Sequence, residues 1–373
     1  MKRPAVVVLG PHRAAVSGIS THLNLLFSSR LADEFSLVHF QVGSEGRTEG
    51  RMRRLSRILV SPFCLAAAIL VHRAAIVHIN TALNARAFWR DLAYLFVARL
   101  CGARVLYQVH GGALPQQFFP RGRAATAVLR KTMRLAHAIV VLAQVELEAY
   151  RKFFPGQQVL ACPNGVDVAQ YSTFVRAPSD AATPLELVYV GRLAAEKGLY
   201  EALRGLELAR REGTRARIVL AGSGPEETRL REFAQELGLA ADASFVGPVS
   251  GADKITLLSN ADVLLLASYS EGLPYALLEG MAAGTAVITT RVGAIPDVVT
   301  EGVHGLFVPS RDAVAIARAI CRLAADRDAL ARMGRACRRR IAGGYSLERL
   351  SRELRALYVD ICSAGQVNSA ARF

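Results

Sequence analysis

The chain has 373 residues, 52% of them hydrophobic and 21% charged, with a formal net charge of +15. That length accommodates two domains of ordinary size, and the composition is globular. Its six cysteines (Cys64, Cys101, Cys162, Cys321, Cys337 and Cys362) include no C-x-x-C pair, which sets aside a zinc site or a disulfide set and leaves buried thiols in a reducing cytoplasm.

Lys2-Arg3 before the apolar Ala5 to Gly10 looks like the start of a signal peptide. The run is brief and His12-Arg13 follow, so a first β-strand is expected instead. Ser17-Gly18-Ile19-Ser20 lies in the loop after it, with Ser20 or Thr21 placed to cap a helix reaching Arg30. Gly18 is either a point of close backbone approach to a ligand or a plain strand-to-helix turn. Residues 36–42 read as a second strand. From Glu45 to Leu59, Arg47, Arg51, Arg53, Arg54 and Arg57 crowd a segment broken by Met52, Leu55 and Ile58, which predicts a basic amphipathic helix. The longest uncharged candidate for a membrane span in this half, the apolar run Ile58 to Val71, has 14 residues and contains Pro62, too short to span.

Ala75 to Asn80 is a predicted strand, Ala85 to Leu100 a helix, and Arg104 to His110 a strand ending in His-Gly-Gly. His110 stands at a strand's carboxyl end, where a structural role and a ligand contact are equally open. Phe118-Phe119 precede a predicted helix whose Arg123, Arg130 and Arg134 share one side. That pattern fits a membrane-surface element or the solvated face of a crossover helix. Strands at 138–143 and 159–163 flank a helix at 145–154. Residues 1–165 hold 21 Lys+Arg against 7 Asp+Glu, a balance of +14, whereas 166–373 hold 25 against 24, or +1. Basicity confined to one half argues for an anionic surface met by the N-terminal domain. Residues 166–184, polar and ending near Pro178 and Pro184, read as a linker.

Leu185 to Val190 opens the second half as a strand, and the loop Gly191 to Gly198 carries Arg192 and Lys197 ahead of a helix at 199–211. A planar guanidinium and an ammonium point charge suit a diphosphate. Lysine is scarce, five against 41 arginines, so one here is unlike filler. A strand at 217–221 leads into the bare turn Gly222-Ser-Gly-Pro225, and another strand and turn occupies 244–249. The apolar run Asp262 to Ala267 reads as a buried parallel strand. Ser268 to Leu273 is a loop, Pro274 suits the first helical position, Tyr275 to Ala283 is a helix, and Gly284 stops it. Glu271 sits in the loop and Glu279 in the helix's second turn. A carboxylate accepts two hydrogen bonds from a vicinal diol, so each suits a sugar ring. Helices at 312–325, 327–341 and 346–362 follow, with a flexible tail from 363.

The two glutamates around Gly272-Leu273-Pro274, the strand before them and the turn Ala282-Ala-Gly284 after them resemble the nucleotide-sugar half of retaining GT-B glycosyltransferases, family 4 or group 1. The resemblance covers nearly the whole chain and is strongest from Leu185 to Pro309; Asn164-Gly-Val-Asp167 matches the segment that closes the first domain in members. It implies an α/β GT-B fold, two doubly wound Rossmann-like domains facing a central cleft. Residues 1–165 would bind acceptor, 185–345 would bind donor, and the helix at 346–362 would cross back to the first domain. The implied reaction is metal-independent transfer from a nucleotide diphosphate sugar, UDP or GDP being the expected nucleotide, with no cofactor required. Arg192 and Lys197 would neutralise the leaving diphosphate, Glu271 would bind sugar hydroxyls, Glu279 the ribose, and His110 the transferred sugar. Gly18, Gly222, Val246, Gly272, Leu273 and Pro274 would line the donor; Ser17-Gly18 is a partial match to the family's Gly pair. The basic half suggests a lipid-linked or saccharide acceptor presented at an anionic membrane, for glycolipid or polysaccharide biosynthesis, with the protein cytoplasmic and peripheral at the inner face. The same fold also serves soluble acceptors and nucleotide-sugar epimerases. A nucleic acid partner is not expected, because no helix-turn-helix, zinc or RNA-recognition signature is present and aromatics are few.

Overall fold

A computed structural model describes residues 3–15, 17–43, 50–112, 114–118, 122–172 and 183–370. The chain divides into two compact units, one running to Asn164 and resumed from Leu347, the other Gly165–Ser346.

The first unit holds strands β1 (Ala5–Gly10), β2 (Ser36–Gln41), β3 (Ala74–Leu83), β4 (Arg104–Gly112), β5 (Ala138–Val141) and β6 (Val159–Ala161) in a parallel sheet ordered β2-β1-β3-β4-β5-β6. Its first helices are α1 (Gly18–Ser28), α2 (Leu31–Glu34), α3 (Arg51–His72), α4 (Ala85–Leu100), α5 (Pro115–Phe118), α6 (Arg123–Met133) and α7 (Gln144–Phe153). The second unit repeats the plan with β7 (Leu185–Val190), β8 (Ala216–Ala221), β9 (Ala243–Gly247), β10 (Val263–Leu266), β11 (Ala286–Thr289) and β12 (Gly305–Phe307), parallel in the order β12-β11-β10-β7-β8-β9. Its helices are α8 (Leu199–Arg211), α9 (Glu227–Glu236), α10 (Gly251–Asn260), α11 (Tyr275–Ala283), α12 (Ile295–Val298), α13 (Ala313–Ala325) and α14 (Arg327–Gly344). The last helix, α15 (Leu347–Ala370), returns to the first unit.

Both sheets are buried on both faces, which is why their strands are near-continuous apolar runs. Alternation along each strand splits the first unit's core in two. Val7, Leu9, Ile79 and Tyr107 pack against Leu65 and Ile69 of α3, Phe88 and Leu95 of α4, and Met133 of α6. Val6, Val8, Ile76 and Leu106 pack against Leu23 and Leu26 of α1 and Leu350, Leu354 and Tyr358 of α15. In each sheet the winding reverses beside the first strand: β1 lies between β2 and β3, and β7 between β8 and β10. Loops leaving those neighbouring strands diverge at their carboxyl ends and open a crevice there.

Several local expectations are corrected. Ser17, not Ser20 or Thr21, caps α1, and Ser20 N–H donates to the Ser17 hydroxyl. Pro274 is the cap of α11 rather than its first helical residue. The basic stretch and the apolar stretch after it are one helix, α3, with Pro62 inside it. At Met52–His72 it is long and apolar enough, by length and composition, to cross a membrane. Proline removes one backbone hydrogen bond from a helix, and apolar side chains on both sides of that point carry the helix through. α15 runs on to Ala370, through residues expected to form a flexible tail; extension of an established helix is far easier than nucleation. The expected linker at 166–184 begins with ordered structure: Val166 bridges Ser346, and Tyr171 is buried in a short 3-10 turn. Residues 173–182 of it lie outside the described residues, as do Arg47, Phe119 and Arg121; the side chains of Arg51, Leu55, Phe118 and Arg123 are likewise not described.

Candidate active site

At the reversal of the second sheet, the loops after β7 and β10 meet. Lys197 ends a 3-10 turn before α8, and Gly198 follows it with φ +66. A Cβ on Gly198 would lie 2.2 Å from the Ala267 carbonyl oxygen, so only glycine lets the two loops close. Closure brings Lys197 Nζ to 2.6 Å from Glu271 Oε1, which also accepts from the Ser268 hydroxyl at 2.7 Å. The pair is mostly buried. Glu271 is therefore a charge held in place, with a cation bound to the same oxygen as a neutral donor. Tyr269 N–H donates to the Glu196 carbonyl at 2.9 Å and ties the loops again. Arg192 does not join Lys197; it is exposed and pairs with Glu196. Gly272 accepts from Ala294 N–H at 2.9 Å, Leu273 is buried, and Pro274 opens α11.

Glu279 lies in α11 and is buried, with Oε1 2.5 Å from Lys254 Nζ of α10. Burial pushes its carboxyl above the ordinary range, and the ammonium opposes that shift without cancelling it. Gly222 leaves β8 with φ +151, and a Cβ there would stand 1.8 Å from the Gly191 carbonyl oxygen. The bare turn is thus a backbone contact between the loops after β7 and β8. Val246 is the residue skipped where the β8–β9 register shifts, and its side chain is exposed.

In the first unit, one sheet face turns from apolar to polar toward its carboxyl end. Ile76 and Leu106 give way to His78 and Gln108, then to Asn80 and His110. His78 Nδ1 lies 2.7 Å from the Tyr358 hydroxyl of α15 and Nε2 3.0 Å from Gln108 Oε1. His110 Nε2 lies 2.9 Å from Asn80 Oδ1, while Asn80 Nδ2 donates to the Leu9 carbonyl at 3.2 Å. The donation to Leu9 fixes which way the amide points. Oδ1 then only accepts, so Nε2 of His110 carries the proton and Nδ1 is a bare lone pair. Nδ1 is buried with no partner among the described residues. His22 of α1 packs edge-on against this ring at 4.5 Å. Burial, reinforced by the neighbouring His78, lowers His110 to about 3; burial lowers His78 to about 4 and His22 well below its ordinary value. All three rings are neutral at pH 7. Gly18 is exposed at the first position of α1, the helix that carries His22.

Sequence comparison matches residues 173–340 to the family described as Glycosyl transferases group 1, and residues 26–170 to Glycosyltransferase Family 4. Together they take in both units. The first unit thus matches the Family 4 model and the second unit the group 1 model, and the fold is GT-B. It is 34% identical over 214 residues to WcaL of Escherichia coli (strain K12), named for colanic acid biosynthesis, covering 54% of this chain and 51% of that one. It is 28% identical over 272 residues to a GDP-mannose-dependent phosphatidylinositol monomannoside mannosyltransferase of Mycobacterium tuberculosis, covering 69% and 70%. The chain spans about half the length of the first curated relatives it matches. Among solved structures, sucrose-phosphate synthase of Thermosynechococcus elongatus has the same fold, with TM-score 0.79 and 20% identity over 97% of this chain and 100% of that one. HepE of Anabaena, solved with UDP and glucose, gives 0.75 and 15% over 96% and 100%.

Two partners of the candidate site residues, Lys254 and Asn80, were not singled out from the sequence. Lys254 is 25 residues before Glu279, and Asn80 is 30 before His110. One signal could have found Lys254: it is one of only five lysines. Asn80 offered a weaker signal, a polar residue two places beyond His78 on an otherwise apolar strand.

Proposed function

We propose that this protein is a glycosyltransferase that moves a sugar from a nucleotide diphosphate sugar, with retention and without a metal ion, to a lipid-linked or membrane-presented acceptor. The observation that carries the donor reading is the Lys197–Glu271 pair at 2.6 Å on the loops after β7 and β10, with Glu279 fixed by Lys254 on the helix that follows. An ammonium held beside a carboxylate has two further N–H groups to offer an anion. Lys197 therefore meets the leaving diphosphate without reorganising, with Arg192 swinging in from the surface and the N-terminal end of α11 adding its dipole. Glu271 accepts from sugar hydroxyls and Glu279 from the ribose diol; Gly222 and Gly272 leave backbone room for the phosphates, and Val246 offers main-chain groups to the base. His110 Nδ1 accepts from a hydroxyl of the transferred sugar. The carbon–oxygen bond to the leaving phosphate breaks as the acceptor oxygen adds on the same face, and the departing phosphate takes the acceptor's proton.

A UDP- or GDP-sugar fits the relatives, one of which is named for GDP-mannose and one solved with UDP. The lipid acceptor, and a peripheral position on the cytoplasmic face of a membrane, rest on the +14 balance of residues 1–165. The relative named for a phosphatidylinositol mannoside supports that reading. Thermal stabilisation by a panel of UDP-, GDP-, ADP- and dTDP-sugars tests the donor site. One nucleotide class should stabilise the wild type and not Glu279→Ala. Stabilisation by none, with the protein folded, refutes the donor assignment. Incubating the stabilising donor with membrane lipid extract should then yield a glycosylated lipid; transfer only to soluble saccharides refutes the acceptor assignment.

A further inference from the structure

α3 carries apolar residues on every side, a pattern that belongs to a helix covered all round. Leu65 and Ile69 are buried against the sheet. Turned away from them, Met52, Leu59, Phe63 and Leu70 fall within about 40° of one another at 100° per residue, and all four face solvent, Phe63 with 76% of its surface exposed. α4, packed beside α3 on the same sheet face, does the same. Its Trp89, Phe96 and Leu100 lie within about 40° of one another and are exposed, Leu100 by 85%. Two helices packed side by side thus each expose an apolar stripe on the same face of the sheet, which a monomer in water rarely tolerates without a partner.

The charges around it identify the partner. α3, α4 and α6 contain one acidic residue among them, Asp91, and it is buried against Arg90 and Tyr107. Arg53 and Arg54 are exposed at the start of α3, and α6, which packs into the same core, exposes Arg130 and Lys131, with Arg134 exposed at its C-cap. A second copy of this chain would bring arginines against arginines. An anionic bilayer meets both features, acyl chains for the stripe and phosphates for the cations. We propose that α3 and α4 lie in the interfacial layer of an anionic membrane, with Phe63, Leu70, Trp89 and Leu100 among the acyl chains and Arg53 and Arg54 on the headgroups. α3 lies in the plane and does not cross, because Leu65 and Ile69 hold it on the sheet. This deepens the membrane-presented acceptor proposed above, and it concerns a surface separate from the donor loops.

Trp89 is the chain's single tryptophan, so its emission reports this face alone. The full chain is titrated with phosphatidylcholine vesicles and with phosphatidylcholine–phosphatidylglycerol vesicles, with and without acyl-brominated lipid. Anionic vesicles should shift the emission to the blue, and bromine should quench it. Part of the binding should survive about 0.5 M salt, where charge attraction is screened within a few Å. The double variant F63S/L70S should weaken vesicle affinity by about tenfold or more and lose the salt-resistant part, while keeping its stabilisation by the nucleotide sugar. Should that variant not fold, Leu100→Ser at the end of α4 gives the same readout. Three outcomes overturn the proposal: Trp89 emission unmoved by anionic vesicles; binding abolished by salt without bromine quenching, which marks surface adsorption; or lipid-free self-association that F63S/L70S removes, which makes a second copy the cover. A protein that passes the lipid test and shows no donor stabilisation would lose the enzyme reading and keep this one.

Discussion

Removing the Lys254 ammonium should expose how Glu279 is kept charged. In Lys254→Met the carboxylate loses its partner at 2.5 Å while staying buried. Breaking a buried pair from one side typically costs about 3–5 kcal/mol. Here the penalty has a ceiling, because the carboxyl can take a proton instead. From an unfolded value of about 4.3, protonation at pH 7 costs about 1.36 kcal/mol for each of roughly 2.7 units, or about 3.7 kcal/mol. At pH 5 the same step costs about 1 kcal/mol. The sign follows from the direction of the shift. A carboxyl whose folded pKa lies above its unfolded one is stabilising only below the unfolded value, and its penalty grows as pH rises through the folded one. Burial already pushes Glu279 upward with Lys254 in place, and loss of the ammonium pushes it further. Urea unfolding of the wild type, Lys254→Met and K254M/E279Q at pH 7 and pH 5 should show a loss of about 2–4 kcal/mol for the single variant at pH 7, mostly recovered at pH 5. The double variant, with no charge to bury, should be more stable than the single one at pH 7. A loss equal at both pH values, or a double variant no better than the single, would refute the reasoning.

Lys197→Met should lower kcat/KM for the donor by about 10²–10³ with a smaller change in donor affinity, measured by steady-state turnover; an unchanged kcat would remove Lys197 from the leaving-group role. In ¹⁵N spectra at pH 7, His110 should show a protonated Nε2 and a bare Nδ1, and Asn80→Leu should mix the tautomers; a protonated Nδ1 in the wild type would contradict the Asn80 assignment. His110 and His78 are lowered from 6.5 to about 3 and about 4, so below pH 6.5 the unfolded chain takes up protons that the folded one refuses. Stability of the first unit, followed by Trp89 fluorescence in urea, should be full above that pH and fall by about 1.4 kcal/mol per pH unit per histidine toward pH 4; a flat profile would show the rings are not held neutral. Gly222→Ala meets the Gly191 carbonyl at 1.8 Å and should cost on the order of 3 kcal/mol, read as a lowered Tm with weakened nucleotide-sugar stabilisation.

Where a signal is local, the sequence carries it. α4 and α11 have the predicted bounds, and Gly284 ends α11 at φ +85, because caps, periodicity and a left-handed stop act within a turn or two. Pairings are different. Glu271 and Glu279 look like a pair on the page, eight residues apart, yet each is matched to a lysine on another element, 74 and 25 residues away. Strand order alone brings those lysines in. Arg192 and Lys197 look like one diphosphate clamp, yet the 3-10 turn between them sends one to Glu196 and the other to Glu271.

α3 shows how a local signal can mislead. Four arginines in its first two turns and Pro62 in its middle suggest two short pieces, a charged one and an apolar one. Each cue is sound alone: like charges repel, and proline lacks an N–H. Both act within one or two turns, whereas Leu65 and Ile69 anchor the helix to a sheet assembled from strands before and after it. That anchoring fixes which side faces out, and the outward side is the one holding Phe63 and Leu70. A sequence reading that sorts residues by charge assigns this segment to the headgroups alone. The fold adds an exposed apolar stripe, so the proposed membrane contact changes from one that salt removes to one that salt only reduces.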